Sequence, residues 1–167
     1  MLNDELAALA ARVGAQLKAQ GMMLAAAESC TGGWVAQALT AIAGSSDWFE
    51  RGFVTYSDAA KQEMLGVSAA TLGAHGAVSE QTAREMAAGA LARSRAQVAL
   101  SITGIAGPSG GSPQKPVGMV CFAWASGQGA LAARTQHFDG DRESVRRQSV
   151  MFALQGVLTL LEAAARS

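Results

Sequence analysis

Charge of either sign is scarce in this 167-residue chain, and aromatic side chains are scarcer. Thirteen basic residues balance thirteen acidic ones, and no basic run stands out. Nothing electrostatic therefore marks a nucleic-acid surface. Only two cysteines, Cys30 and Cys121, and two histidines are present. They lie far apart and lack metal-ligand spacing, so no metal site is expected. The two cysteines suit free thiols in a reducing cytoplasm better than a disulfide. No unbroken apolar run approaches the ~20 residues of a bilayer span. The acidic start, Met1-Leu2-Asn3-Asp4-Glu5, is unlike a secretory signal. The expectation is a cytoplasmic protein with neither a membrane nor a nucleic-acid partner.

Alanine and glycine fill the space left by those absences, and half the chain is hydrophobic. Such a composition suits helices packed closely on a sheet, and the length suits one domain over 1–167. Leu2, Leu6, Leu9, Val13 and Leu17 recur at helical spacing and predict a helix over 3–20, ended by Gly21. Residues 22–27 read as a short buried strand and 31–42 as a helix. Phe53, Val54 and Tyr56 mark a second strand. Asp58 is a suitable N-cap for a short helix to Leu65. A further helical turn surrounds 69–72, and Ser79 caps a helix over 80–93. Val98, Leu100 and Ile102 alternate in a strand that ends at Thr103. The longest loop follows, over 104–116. Residues 117–125 and 131–138 predict a hairpin, and Gly140-Asp141-Arg142 opens the last helix. Helices alternating with strands, with a late hairpin, predict an α/β fold: a three-layer α/β/α sandwich with a mixed sheet.

The chemistry gathers where strands end. In Ala27-Glu28-Ser29-Cys30-Thr31-Gly32-Gly33, Ser29 or Cys30 could be a nucleophile and the Gly32 and Gly33 amides could hold an anion. The plainer alternative is a glycine-permitted turn capped by Thr31. Three more polar places sit at comparable joints: Tyr56-Ser57-Asp58 with Lys61, Thr103 with the glycine loop, and Gly140-Asp141-Arg142. Open α/β sheets can bring such ends to one edge. His75 and His137 sit in a turn and a strand pattern, and no G-x-S-x-G elbow surrounds Ser29. A Ser-His-Asp triad is thus unsupported.

A lysine can replace the histidine if burial keeps it neutral. Lys61 is the candidate, with Tyr56 as hydrogen-bond donor or proton relay; the alternative is a solvated lysine and a core-edge tyrosine. The glycine loop is neither a P-loop nor a dinucleotide fingerprint, yet it admits close approach of backbone to a ligand. Arg142 and Arg146 are four apart on one helix face and could grip a phosphate. Arg142 opposes the helix dipole, which favours a functional role for it. Glu143 and Arg147 have the spacing of an ordinary helix ion pair.

Together these segments, with Gly44-Ser45-Ser46, Gly52-Phe53-Val54-Thr55-Tyr56-Ser57, Leu65-Gly66-Val67, Gly76-Ala77-Val78-Ser79, Thr103-Gly104-Ile105-Ala106-Gly107-Pro108 and Lys115-Pro116-Val117-Gly118, resemble the CinA C-terminal domain family. Stand-alone members of that family are nicotinamide-nucleotide amidohydrolases (NMN deamidases). The resemblance implies hydrolysis of the carboxamide of nicotinamide mononucleotide in pyridine nucleotide salvage, without cofactor or metal. It implies Ser29 as nucleophile, Lys61 as base and Tyr56 as a third catalytic group. Thr31, Gly32, Gly33, Thr103, Gly104, Gly107 and Arg142 are the implied substrate-binding residues. Asp58 stands where the family often has Asn, and Ala43 where it commonly has Pro. A non-catalytic nucleotide-binding module of the same fold is the alternative. Alanine-rich helix faces would permit a homo-oligomer.

Overall fold

Side-chain size alternates along the central strands, and that alternation sorts the helices. In the computed structural model, which describes residues 2–129 and 131–166 (side chains from Glu5), β1 is Leu24–Glu28, β2 Phe49–Val54, β3 Val98–Gly104, β4 Met119–Ser126 and β5 Leu131–His137. They form one sheet in the order β2-β1-β3-β4-β5. β1 pairs in parallel with β2 and β3, whereas β3–β4 and β4–β5 are antiparallel. The sheet is mixed, as expected. Ala130, in the expected hairpin, and the Leu2 side chain, an expected apolar position, lie outside what is described.

One face carries the large residues: Leu24, Val98, Leu100, Ile102, Val120, Phe122 and Trp124. Against it pack α1 (Leu2–Ala19), α2 (Trp34–Thr40) and α6 (Arg142–Ala165). Phe122, Trp124, Phe138 and Phe152 form a ring cluster there, the closest pair having centroids 4.7 Å apart. The other face is small: Ala25, Ala27, Ala99, Ser101, Cys121, Ala123 and Ala125. Onto it pack α3 (Asp58–Leu65) and α5 (Glu80–Ala92), with α4 (Ala69–His75) beyond. So small a face lets α5 approach closely enough for the Ser101 hydroxyl to donate to the Ala83 carbonyl, at 2.6 Å. β3 is therefore buried on both sides, as the expected three-layer sandwich requires.

Three details depart from the sequence reading. β2 begins at Phe49, because an edge strand tolerates the charged Glu50-Arg51 pair that masks it in sequence. The α3 N-cap is Ser57, whose hydroxyl accepts from the Ala60 amide; Asp58 is the first helical residue. Finally, α6 is long and apolar enough to cross a bilayer, which the absence of an unbroken apolar run concealed. Here it is a core helix whose Val145, Val150, Leu154, Val157, Leu158 and Leu161 are buried.

Close approach also joins α5 to α3, since a Cβ on Gly89 would run into the Leu65 carbonyl. Gly73 in α4 faces open space. One substitution should therefore have opposite effects at the two positions. Gly89→Ala is expected to destabilise the fold by about 1–3 kcal/mol through overpacking, and Gly73→Ala to stabilise it by about 0.5–1 kcal/mol. Urea unfolding midpoints of the two variants check both signs.

Candidate active site

β1 ends at Glu28, and its neighbours diverge there: β2 lies to one side and β3 to the other. Crevices at the carboxyl ends of strands open where the winding reverses in this way. The four polar places expected at strand ends meet at this edge. They line a hollow of about 360 Å³, bounded by Ser29, Cys30, Tyr56, Lys61, Thr103, the 104–111 glycine segment and Arg142. A larger groove of about 520 Å³ runs between α6 and the β4–β5 hairpin. Its walls, among them Trp124, Phe152 and Leu160, carry the hydroxyls of Ser126 and Thr159 but no lysine, histidine or carboxylate to activate them, so chemistry rather than size selects the smaller hollow.

Ser29 follows β1 directly, and its amide donates to the Ile102 carbonyl of β3 at 3.0 Å. Lys61 enters from the second turn of α3. Its Nζ lies 2.9 Å from Ser29 Oγ, 2.8 Å from the Thr55 carbonyl and 3.3 Å from the Tyr56 carbonyl. The side chain is 1% exposed, and among the described residues it forms no ion pair. Burial pushes its pKa below the usual lysine value, opposed by the negative charge of Asp58 and by Cys30. Two carbonyls can absorb two N–H groups of a neutral amine, which leaves its lone pair for the Ser29 hydroxyl. The serine–lysine contact expected from the sequence is thus present, and the solvated-lysine alternative is not.

The Tyr56 side chain is placed differently from the expectation of a relay beside Lys61. It is 64% exposed at the mouth of the hollow. Its hydroxyl accepts from Arg142 Nη2 at 3.3 Å, and Arg142 Nη1 donates to the Gly107 carbonyl at 2.8 Å. Only the Tyr56 carbonyl reaches the serine and the lysine. Thr103 lines the hollow with its hydroxyl donated to the Ala77 carbonyl. Lys115 reaches across from the glycine loop to the His75 carbonyl at the end of α4. His75 and His137 are exposed and do not line the hollow.

The turn after Ser29 holds a residue whose role the sequence reading missed. Glu28 is 1% exposed, and its carboxylate accepts from the amides of Gly33, Val35 and Ala36 and from the Thr31 hydroxyl. It caps α2 in place of Thr31, because Gly33 at the N-cap has no side chain to do so. The seven-residue spacing from Glu28 to Val35 hides the link, since capping patterns in sequence span about three residues. Gly32 and Gly33 have φ of 60° and 108°, so the turn needs glycine. Neither they nor Thr31 line the hollow. The Gly32 amide goes to the Ser29 carbonyl and the Gly33 amide to Glu28, which leaves neither for an anion. Among the described residues, the amides that meet no oxygen acceptor in this turn are those of Cys30 and Thr31.

Arg146 belongs to the same turn and not to the mouth. It donates to the Cys30 carbonyl at 3.0 Å and the Thr31 carbonyl at 3.1 Å, and its guanidinium lies 5.4 Å from the centre of the Trp34 ring. Arg147 pairs with Glu5 of α1 at 3.2 Å.

Comparisons with known proteins agree with this architecture. The sequence model for the CinA C-terminal domain matches residues 6–161. An Escherichia coli K12 protein named nicotinamide-nucleotide amidohydrolase PncC is 57% identical over 155 residues, 93% of this chain and 94% of that one. A Pseudomonas putida protein of the same name is 50% identical over 94% of this chain and 98% of its own. The crystal structure of the competence/damage inducible protein CihA from Agrobacterium tumefaciens superposes with a TM-score of 0.91 at 48% identity, covering 93% of this chain and 94% of that one.

The two thiols give a direct check on the site. Both cysteines are free and buried, and burial pushes the Cys30 thiol up to about 11, only partly offset by Arg146. Thiolates are the reactive form. The native protein at pH 7.5 (roughly the pH of ordinary labelling assays) is expected to show almost no rapid reaction with a disulfide reagent, with both thiols appearing on denaturation. A fast-reacting Cys30 would restore it as a rival nucleophile.

Proposed function

The chain belongs to the CinA C-terminal domain family, and from that premise we propose that it hydrolyses the carboxamide of nicotinamide mononucleotide to nicotinic acid mononucleotide and ammonia. Its 50–57% identity to named amidohydrolases, over nearly the whole chain, supports this substrate. The observation that carries the mechanism is the buried 2.9 Å contact between Lys61 Nζ and Ser29 Oγ.

In this reading Ser29 Oγ attacks the amide carbon while its proton passes to neutral Lys61. The carbonyl oxygen becomes an oxyanion held by the Cys30 amide, which meets no oxygen acceptor and belongs to a residue that lines the hollow. Lys61 then returns the proton to the departing nitrogen, which leaves as ammonia. The resulting ester is hydrolysed when Lys61 takes a proton from water and the hydroxide attacks; Lys61 then returns that proton to the departing Ser29 oxygen, and the acid product leaves as its carboxylate after losing its own proton to solvent. Arg142 and Tyr56 at the mouth, with the glycine segment, are suited to the ribose and phosphate. Thr103 shapes the wall between them. The match over residues 6–161 supports reading the chain as one amidohydrolase domain.

Ammonia release from nicotinamide mononucleotide by the purified protein tests the activity. Ser29→Ala is expected to lower kcat by at least ~1,000-fold; undiminished turnover would exclude this nucleophile, and binding without ammonia release in the wild type would favour the nucleotide-binding module.

The pH profile tests the base. The reaction needs Lys61 neutral, so kcat/KM rises with pH through the free-enzyme pKa of Lys61. Because burial depresses that pKa, the acidic limb should lie below the ordinary lysine range. Asp58 stabilises the ammonium form, so Asp58→Asn should move the limb to lower pH. A limb that stays in place would mean that Asp58 does not bear on Lys61.

A further inference from the structure

We propose that Arg146 is a positioning residue that, together with Glu28, clamps the turn after the nucleophile and so holds the Cys30 amide aimed at the oxyanion. The inference rests on the serine reading above and deepens it. Two opposite charges grip the turn through different backbone groups. Glu28, buried beneath it, takes the donors at Gly33, Val35 and Ala36 and the Thr31 hydroxyl. Arg146 takes the carbonyls of Cys30 and Thr31 from α6 and rests on the Trp34 ring, on the first turn of α2.

Peptide planarity converts this grip into an orientation. In a trans peptide the carbonyl of one residue and the amide of the next point in opposite directions, and the Ser29–Cys30 bond is trans. The Ser29 carbonyl accepts from the Gly32 amide, which turns the Cys30 N–H away from Gly32, and Arg146 keeps the turn closed in that arrangement by holding the Cys30 and Thr31 carbonyls. The Cys30 amide meets no oxygen acceptor, and Cys30 lines the hollow. A free glycine-rich turn, with φ of 60° and 108° at Gly32 and Gly33, has no such fixed direction. Oxyanion donors work only when already in place, because they must not reorganise as charge develops.

The arrangement also answers the pairing of Arg142 and Arg146 that the helix spacing suggests. Arg142 lines the hollow, but Arg146 does not. Two of its donors are engaged by backbone carbonyls, so its contribution falls on turnover and not on phosphate affinity.

The test uses Arg146→Met on the full chain, with nicotinamide mononucleotide and the phosphate-free nicotinamide riboside as substrates. A fluorophosphonate serves as an acylation mimic whose attachment to Ser29 is read by mass spectrometry. The expected result is a kcat about 100-fold lower on both substrates with KM unchanged, and Ser29 labelling slowed to match. Where Arg146→Met fails to fold, Arg146→Lys keeps the charge but loses the planar fork, and a smaller kcat loss with unchanged KM is expected. Glu28→Gln should act in the same direction from the other side of the turn. A raised KM for the mononucleotide alone, with kcat retained, would make Arg146 a phosphate ligand and overturn the proposal. Wild-type kcat and labelling rate in a folded variant would overturn it too. Wild-type protein unlabelled at Ser29 would instead sink the serine reading, and this inference with it.

Discussion

Among the described residues the buried Lys61 side chain has no carboxylate partner, and the proposed mechanism depends on that one costly arrangement. Removing an ammonium group from water costs several kcal/mol unless it is paired or loses its proton. Lys61 is offered two backbone carbonyls and one hydroxyl, which serve a neutral amine as well as a charged one. The fold thereby holds an amine against Ser29, and the proposed mechanism uses it as the proton acceptor in place of a histidine. The position resists water because α3 is pressed onto the sheet edge by α5, through the close approach at Gly89 and Leu65. The small face of the sheet, chosen for packing, thus determines where the lysine stands.

The turn after Ser29 shows how a short glycine-rich segment becomes a rigid one. Glycine grants the two left-handed conformations, but freedom alone would leave the amides undirected. Glu28 and Arg146 remove that freedom from opposite sides. The buried carboxylate has four donors, enough to satisfy a charge that is otherwise destabilising in the interior. Its cost and its function are linked, because the same bonds that satisfy it define the turn.

Much of the fold was legible in the chain. Helical spacing located α1 and α6, serine caps located α5, and alternation located β3 and the hairpin. Legibility failed where the local pattern carried a different message from the environment. The start of β2 reads as polar because it is an edge, and Ser57 stands beside a more obvious cap in Asp58.

For the site, residue types and strand-end placement pointed to Ser29, Lys61, Tyr56, Thr103 and Arg142 from sequence alone, and all five line one hollow. What the sequence could not supply was direction. Whether the Tyr56 phenol or its carbonyl meets the lysine, whether Gly33 offers its amide to a ligand or to Glu28, and whether Arg146 faces a phosphate or a carbonyl depend on contacts between residues as much as 116 positions apart. Local chemistry fixes which groups can donate or accept, whereas only the packed sheet and helices decide which of them meet.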